Sequence, residues 1–139
     1  MYILDTNVIS ELRKAKSGKA DQNVKEWAAS VPPSLFFLSV ISVLELETGT
    51  LLLEQRDKVQ GMILRTWLDK YVLPAFSGRI LPVDIAVAQQ CAKLQVPNPR
   101  SSRDALIAAT ALVHGLTVVT RNVADFQPTG VPIHNPWIL

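Results

Sequence analysis

Four acidic side chains stand where the chain turns from strand-like to helical segments: Asp5 in ILDTNVIS, Glu45 in SVISVLELETG, Asp104 in SSRDALIAATALVHG and Asp125 in VVTRNVADF. If they converge, each close pair of like charges costs about 4 kcal/mol at roughly 4 Å with an effective dielectric of about 20. A divalent cation removes that cost. Mg²⁺ and Mn²⁺ prefer carboxylate and water oxygens, polarise phosphoryl groups and activate water. The placement therefore predicts a metal-dependent hydrolase acting on phosphodiester bonds.

The elements that must position these acids follow from the changing hydrophobic period. Tyr2–Leu4 reads as a short buried strand, followed by a helix to Arg13 that Thr6 or Asn7 can cap. Asn23–Ser30 reads as a helix broken by Pro32 and Pro33, Leu35–Leu38 as a strand, and Val40–Leu53 as a helix. From Asp57 to Leu73, apolar residues recur at helical spacing at Val59, Met62, Ile63, Trp67, Leu68, Tyr71 and Val72, and Pro74 closes the stretch. Arg79–Val83 is a third strand, and Asp84 opens a helix to Leu94. Ser102–His114 is a helix stopped by Gly115, Leu116–Val119 a strand, and Val131–His134 a last short strand. Strands alternating with helices predict a three-layer α/β/α sandwich around a parallel sheet of four to five strands, with sites beyond the strands' carboxyl ends.

Length and composition agree with one filled domain over residues 1–139. The chain has 48% hydrophobic and 19% charged residues, and a mean hydropathy of +0.21. A disordered chain is excluded. The chain begins in an apolar strand with no basic leader or small-residue cleavage site, and has no apolar run of about 18 residues, so a soluble, cytoplasmic protein without membrane association is expected. The lone Cys91 sits in an apolar helical pattern and is read as filling core space. His114 and His134 lack the paired spacing of a zinc site and are read as surface residues. Setting the four acids aside leaves 8 against 14 basic residues, an excess that suits a polyanionic substrate. Arg13, Lys14, Lys16 and Lys19 form the densest basic group, which a solvated loop explains equally well.

Each acid also has a structural explanation, because a carboxylate in a first helical turn gains about 0.3–1 kcal/mol from the helix dipole. Asp5 could cap Val8 or Ile9, Glu45 could close a capping box with Ser42, Asp104 could be a first-turn acid after Ser101, and Asp125 could be a loop acid. The neighbouring Thr6 and Asn7 offer capping oxygens without a charge, which favours a chemical role for Asp5. Asp84 is fully explained as a helix cap. Glu47, about 200° around the helix from Glu45, cannot face the same ion and is read as a solvated or partner-facing charge.

In order, LDTNVISEL, SVISVLELETG and DALIAATALVHGLTVVTRNVADF resemble the PIN-domain ribonucleases, and among them the VapC-type toxins of type II toxin–antitoxin systems, including the FitB-like branch. The resemblance spans nearly the whole chain. It implies that Asp5, Glu45, Asp104 and Asp125 hold one or two Mg²⁺ or Mn²⁺ ions, supported by Thr120, Asn122 and Asn7. It also implies an endoribonuclease that forms a homodimer and is blocked by a small VapB-type antitoxin. The apolar residues Trp67, Tyr71, Leu51, Leu52 and Leu53 exceed what two helices bury, so a second copy or an antitoxin is expected to cover them unless they pack on the sheet.

Two positions depart from the usual toxin pattern: Leu44 stands where a small residue is common, and Glu47 where a basic one is. Glu47 is expected to repel phosphate and attract arginine. The alternative function is a PIN-like RNA-binding or protein-interaction module without catalysis, against which four intact acids argue. A phosphotransferase using Asp5 as acceptor lacks the acid it needs at Asn7 or Leu4.

Overall fold

The computed structural model describes residues 1–138. Five parallel strands, β1 (Tyr2–Leu4), β2 (Phe36–Ser39), β3 (Ile80–Leu81), β4 (Thr117–Val119) and β5 (Ile133–His134), form a sheet in the order β3-β2-β1-β4-β5. In register, Ile3 stands opposite Phe37 on one side and Val118 on the other. The chain steps outward from β1 to β3, then crosses back to place β4 on the free side of β1. That reversal lies between β1 and β4, the point in such sheets where a crevice opens beyond the carboxyl ends.

The helices are α1 (Thr6–Arg13), α2 (Gln22–Ser30), α3 (Val40–Arg56), α4 (Lys58–Trp67), α5 (Leu73–Ala75), α6 (Ile85–Gln95), α7 (Ser102–His114) and α8 (Val123–Phe126). Alternation along the strands divides the core into two layers. Ile3, Val118 and Phe37 pack with Ile41, Ile107, Ala108, Ala111 and Phe126 on one face. Leu4, Val119, Phe36 and Leu38 pack with Val8, Ile9, Leu46, Leu68 and Val72 on the other. The three-layer sandwich is as expected, with five strands.

Some boundaries differ from the sequence reading. Asp5, not Thr6 or Asn7, is the residue at the cap of α1, its Oδ1 accepting from Thr6 N–H at 2.8 Å. The helix following Asp57 runs past Pro74 to Ala75 by way of a π-helical stretch, Leu68–Val72, with Leu73 N–H reaching Leu68 O. Pro74 cannot donate to Lys70, and its ring would crowd that carbonyl in a regular α turn, so the wider turn accommodates it. Asp84 caps α6 by accepting from Val87 N–H, as expected.

Between α3 and α4 the backbones approach so closely at Gly61 that an added Cβ would stand 2.5 Å from Glu54 Cα. Gly61→Ala is therefore expected to lower stability by about 1–3 kcal/mol despite alanine's better helix propensity, read as a lower thermal midpoint. The same pair of helices is tied by Arg65, whose guanidinium meets Glu47 at 2.8 Å, Glu54 at 3.2 Å and Asp69 at 3.4 Å. Glu47 thus corrects the sequence reading: it does attract an arginine, but one of its own chain.

On this hairpin Leu51, Leu52 and Tyr71 are exposed, as are Met62 and Ile63, whereas Trp67 and Leu53 are half-buried. Trp67 packs on the sheet layer with Arg13 over its ring at 5.7 Å. His114 is exposed, but His134 is not a plain surface residue: its ring lies 4.9 Å from that of Trp27. Cys91 is half-buried, and burial raises its thiol pKa, which suits an unreactive side chain. Among the described residues, no helix is long and apolar enough to cross a membrane.

Candidate active site

Asp5 leaves β1 at its carboxyl end, and its own N–H is still held by Val119 O at 2.9 Å, which fixes it beside the end of β4. Thr120, the residue directly after β4, donates its hydroxyl to Asp5 Oδ2 at 2.8 Å across 115 residues of sequence. Asn7 adds Nδ2 to the same oxygen at 3.2 Å and to Thr120 Oγ1 at 3.3 Å, while Asn122 N–H donates to Thr120 Oγ1 at 3.0 Å. Asn7, Thr120 and Asn122, the three residues expected to support the acids, thus gather around this oxygen and the hydroxyl that holds it. In the case of Asn122 it is the backbone that contributes, in a turn whose carbonyl accepts from Asp125 N–H.

Topology brings the other acids to this edge. Helix α3 follows β2 directly, with Ser39 capping it through Ile41 N–H. Its start at Val40 removes the capping-box alternative for Ser42 and Glu45, since Ser42 lies inside the helix. Helix α7 precedes β4, so it begins at the sheet's carboxyl edge and carries Asp104 in its first turn. Ser101 makes no side-chain cap there. Asp125 sits exposed on α8, at the margin, close enough for its charge to raise the pKa of Asp104. Asp5, Glu45 and Asp104 line a cleft of about 460 Å³ together with Thr6, Asn7, Glu11, Lys14, Arg121, Asn122 and Trp137.

The electrostatics of the cleft follow from this arrangement. Asp5 is 5% exposed, and burial pushes its pKa up to about 6; Thr120 and Thr6 N–H oppose that rise, and the charges of Asp104 and Glu45 add to it. The Asp104 carboxyl is raised by burial first, then by Asp125 and Glu45.

Several participants were missed in the sequence. Thr6 donates Oγ1 to Glu45 Oε1 at 2.7 Å, and Arg103 approaches Glu45 Oε2 at 3.7 Å. Glu11 is buried and accepts from Asp21 N–H at 2.8 Å and Lys14 Nζ at 3.3 Å. Thr6 was open to detection: a hydroxyl beside a strand-end acid faces the same edge. Trp137 and Arg121 gave no periodic signal.

A divalent cation suits this donor set. The cluster supplies only hard carboxylate oxygens, and burial, with a smaller push from the neighbouring acids, makes Asp5 resist ionisation. Among the described residues no three Asp, Glu, His or Cys side chains yet stand close enough to hold an ion. Glu45 is engaged by Thr6 and Arg103.

With fold and site in view, the chain belongs to the PIN domain family, whose profile matches residues 2–127. Within that family it is similar to the VapC ribonuclease Y4jK of Sinorhizobium fredii, at 37% identity over 99% of this chain and 98% of that one. It is likewise similar to toxin FitB of Neisseria gonorrhoeae, at 37% identity over 99% of both chains. The crystal structure of FitAcB from Neisseria gonorrhoeae superposes with a TM-score of 0.91 at 37% identity, covering all of both chains.

Proposed function

We propose that this protein is a metal-dependent endoribonuclease and the toxin subunit of a VapBC-type pair, neutralised by a small antitoxin. The observation that carries this reading is the acidic cleft at the β1–β4 reversal, which Asp5, Glu45 and Asp104 line together, with Asp125 at the margin. Full-length similarity to a VapC ribonuclease and to the toxin FitB supports the reaction class and the antitoxin partner. RNA as substrate supports a cytoplasmic location. The exposed apolar hairpin of α3 and α4 favours a homodimer as the working assembly.

Asp5, Glu45, Asp104 and Asp125 would hold one or two Mg²⁺ or Mn²⁺ ions, with Glu45 exchanging its Arg103 contact for the cation. The bound ion would supply charge neutralisation and water activation for in-line attack on a phosphodiester. Thr120 and Asn7 hold Asp5 Oδ2, and Thr6 N–H holds Oδ1, so this carboxylate keeps one orientation toward the cleft.

Purified chain with Mg²⁺ or Mn²⁺ is expected to degrade a structured RNA, EDTA to stop it, and Asp104→Ala to be inert. Tight RNA binding that ignores metal, without cleavage, would instead favour the non-catalytic module.

A further inference from the structure

A polyanion entering a cleft walled by carboxylates needs positive charge at the rim, and the cations there are not equivalent. Lys14 is taken up by Glu11 at 3.3 Å, and Arg103 leans on Glu45 at 3.7 Å. Arg121 also lines the cleft, yet among the described residues its guanidinium meets no carboxylate and makes no hydrogen bond. It lies instead over the indole of Trp137, 5.5 Å from the ring centroid.

Both halves of this stack are anchored. Arg121 N–H donates to Asn7 Oδ1 at 3.4 Å, and its neighbours Thr120 and Asn122 are tied into the Asp5 network. Trp137 N–H donates to Asn135 Oδ1 at 3.0 Å, Trp137 O accepts from Asn23 Nδ2 at 2.9 Å, and the indole packs on the core layer of Leu4 and Val119. A planar fork of five donors is thus held against the indole at the edge of the acid cluster, with its hydrogen-bonding capacity unspent among the described residues. Such a fork matches two oxygens of a phosphate, and the ring beneath it limits the side-chain freedom lost on binding.

We infer that Arg121 grips a substrate phosphate next to the one being cleaved, and that Trp137 is the positioning residue that presents it. This rests on the ribonuclease reading above. The test is steady-state cleavage of a single-stranded oligoribonucleotide, with salt varied, by wild type, Arg121→Ala, Trp137→Ala, Trp137→Phe and the double alanine variant. Arg121→Ala is expected to raise KM about 10–100-fold with kcat within about threefold. It should also flatten the dependence of log KM on log salt by about 0.7. Trp137→Ala is expected to raise KM about 3–10-fold, Trp137→Phe to restore most of it, and the double variant to be no worse than Arg121→Ala alone. If Trp137→Ala fails to fold, Trp137→Leu keeps apolar bulk without the aromatic face and serves the same comparison. Unchanged KM and salt slope in Arg121→Ala, or effects that multiply in the double variant, would overturn the inference. Absence of RNA cleavage by the wild type would take down the ribonuclease reading itself, a distinct result from normal cleavage by Arg121→Ala.

Discussion

Asp5→Asn is expected to abolish cleavage, by at least about a hundredfold, and at the same time to make the metal-free protein more stable at pH 7. The two effects share one cause. Burial holds the Asp5 carboxyl at about 6, above its ordinary value of 3.8, so the folded chain keeps a proton that the unfolded chain releases earlier. Below pH 3.8 both states are protonated and the site costs nothing. Between 3.8 and 6 stability falls as pH rises, and above 6 the full penalty applies, on the order of 3 kcal/mol. Asparagine has no charge to desolvate and retains one carbonyl oxygen for Thr6 N–H or Thr120. A gain of about 1–3 kcal/mol in EDTA follows, growing from pH 5 to pH 7 and reversing when saturating Mn²⁺ stabilises only the wild type. Thermal unfolding across that pH range reads it directly. A variant less stable than wild type at every pH would mean that Asp5 is adequately compensated without a cation.

Metal affinity should carry the complementary signature. The proton on Asp5 must leave before a cation binds, and the Asp104 carboxyl is raised as well, by burial and by Asp125. Apparent affinity for Mg²⁺ or Mn²⁺ is expected to fall about tenfold or more per pH unit below pH 6, and to level off above about pH 7. Calorimetry in buffers of different ionisation enthalpy would also detect proton release at pH 6. Flat affinity from pH 5 to 7.5 with no proton released would place the ion away from Asp5.

The skeleton of the site was legible because strand ends and first helical turns leave local marks. Asp5 after Tyr2–Leu4, Thr120 after Val119 and Asp104 inside Ser102–His114 each stand where an apolar run changes period. What was not legible depends on partners distant in sequence. Periodicity reports which face is buried, not which hydroxyl meets which carboxylate, so the 39-residue reach from Thr6 to Glu45 gave no signal. Glu47 read as outward-facing because its clamp, Arg65, lies on another helix. Pro74 read as a stop because the π-helical detour that accommodates it has no compositional signature.

The order of the strands also sets a timetable for the molecule's birth. Asp5 is made almost first, but the neighbours that orient it arrive with Thr117–Val119 and Thr120, and β4 is itself flanked by β5 at Ile133–His134. During synthesis from the N-terminus the growing polypeptide therefore carries its key acid on a strand that β2 can pair on one side while the other side waits for β4. Until β4 and Thr120 have joined β1, a nascent polypeptide has no assembled cleft with which to attack the message that encodes it.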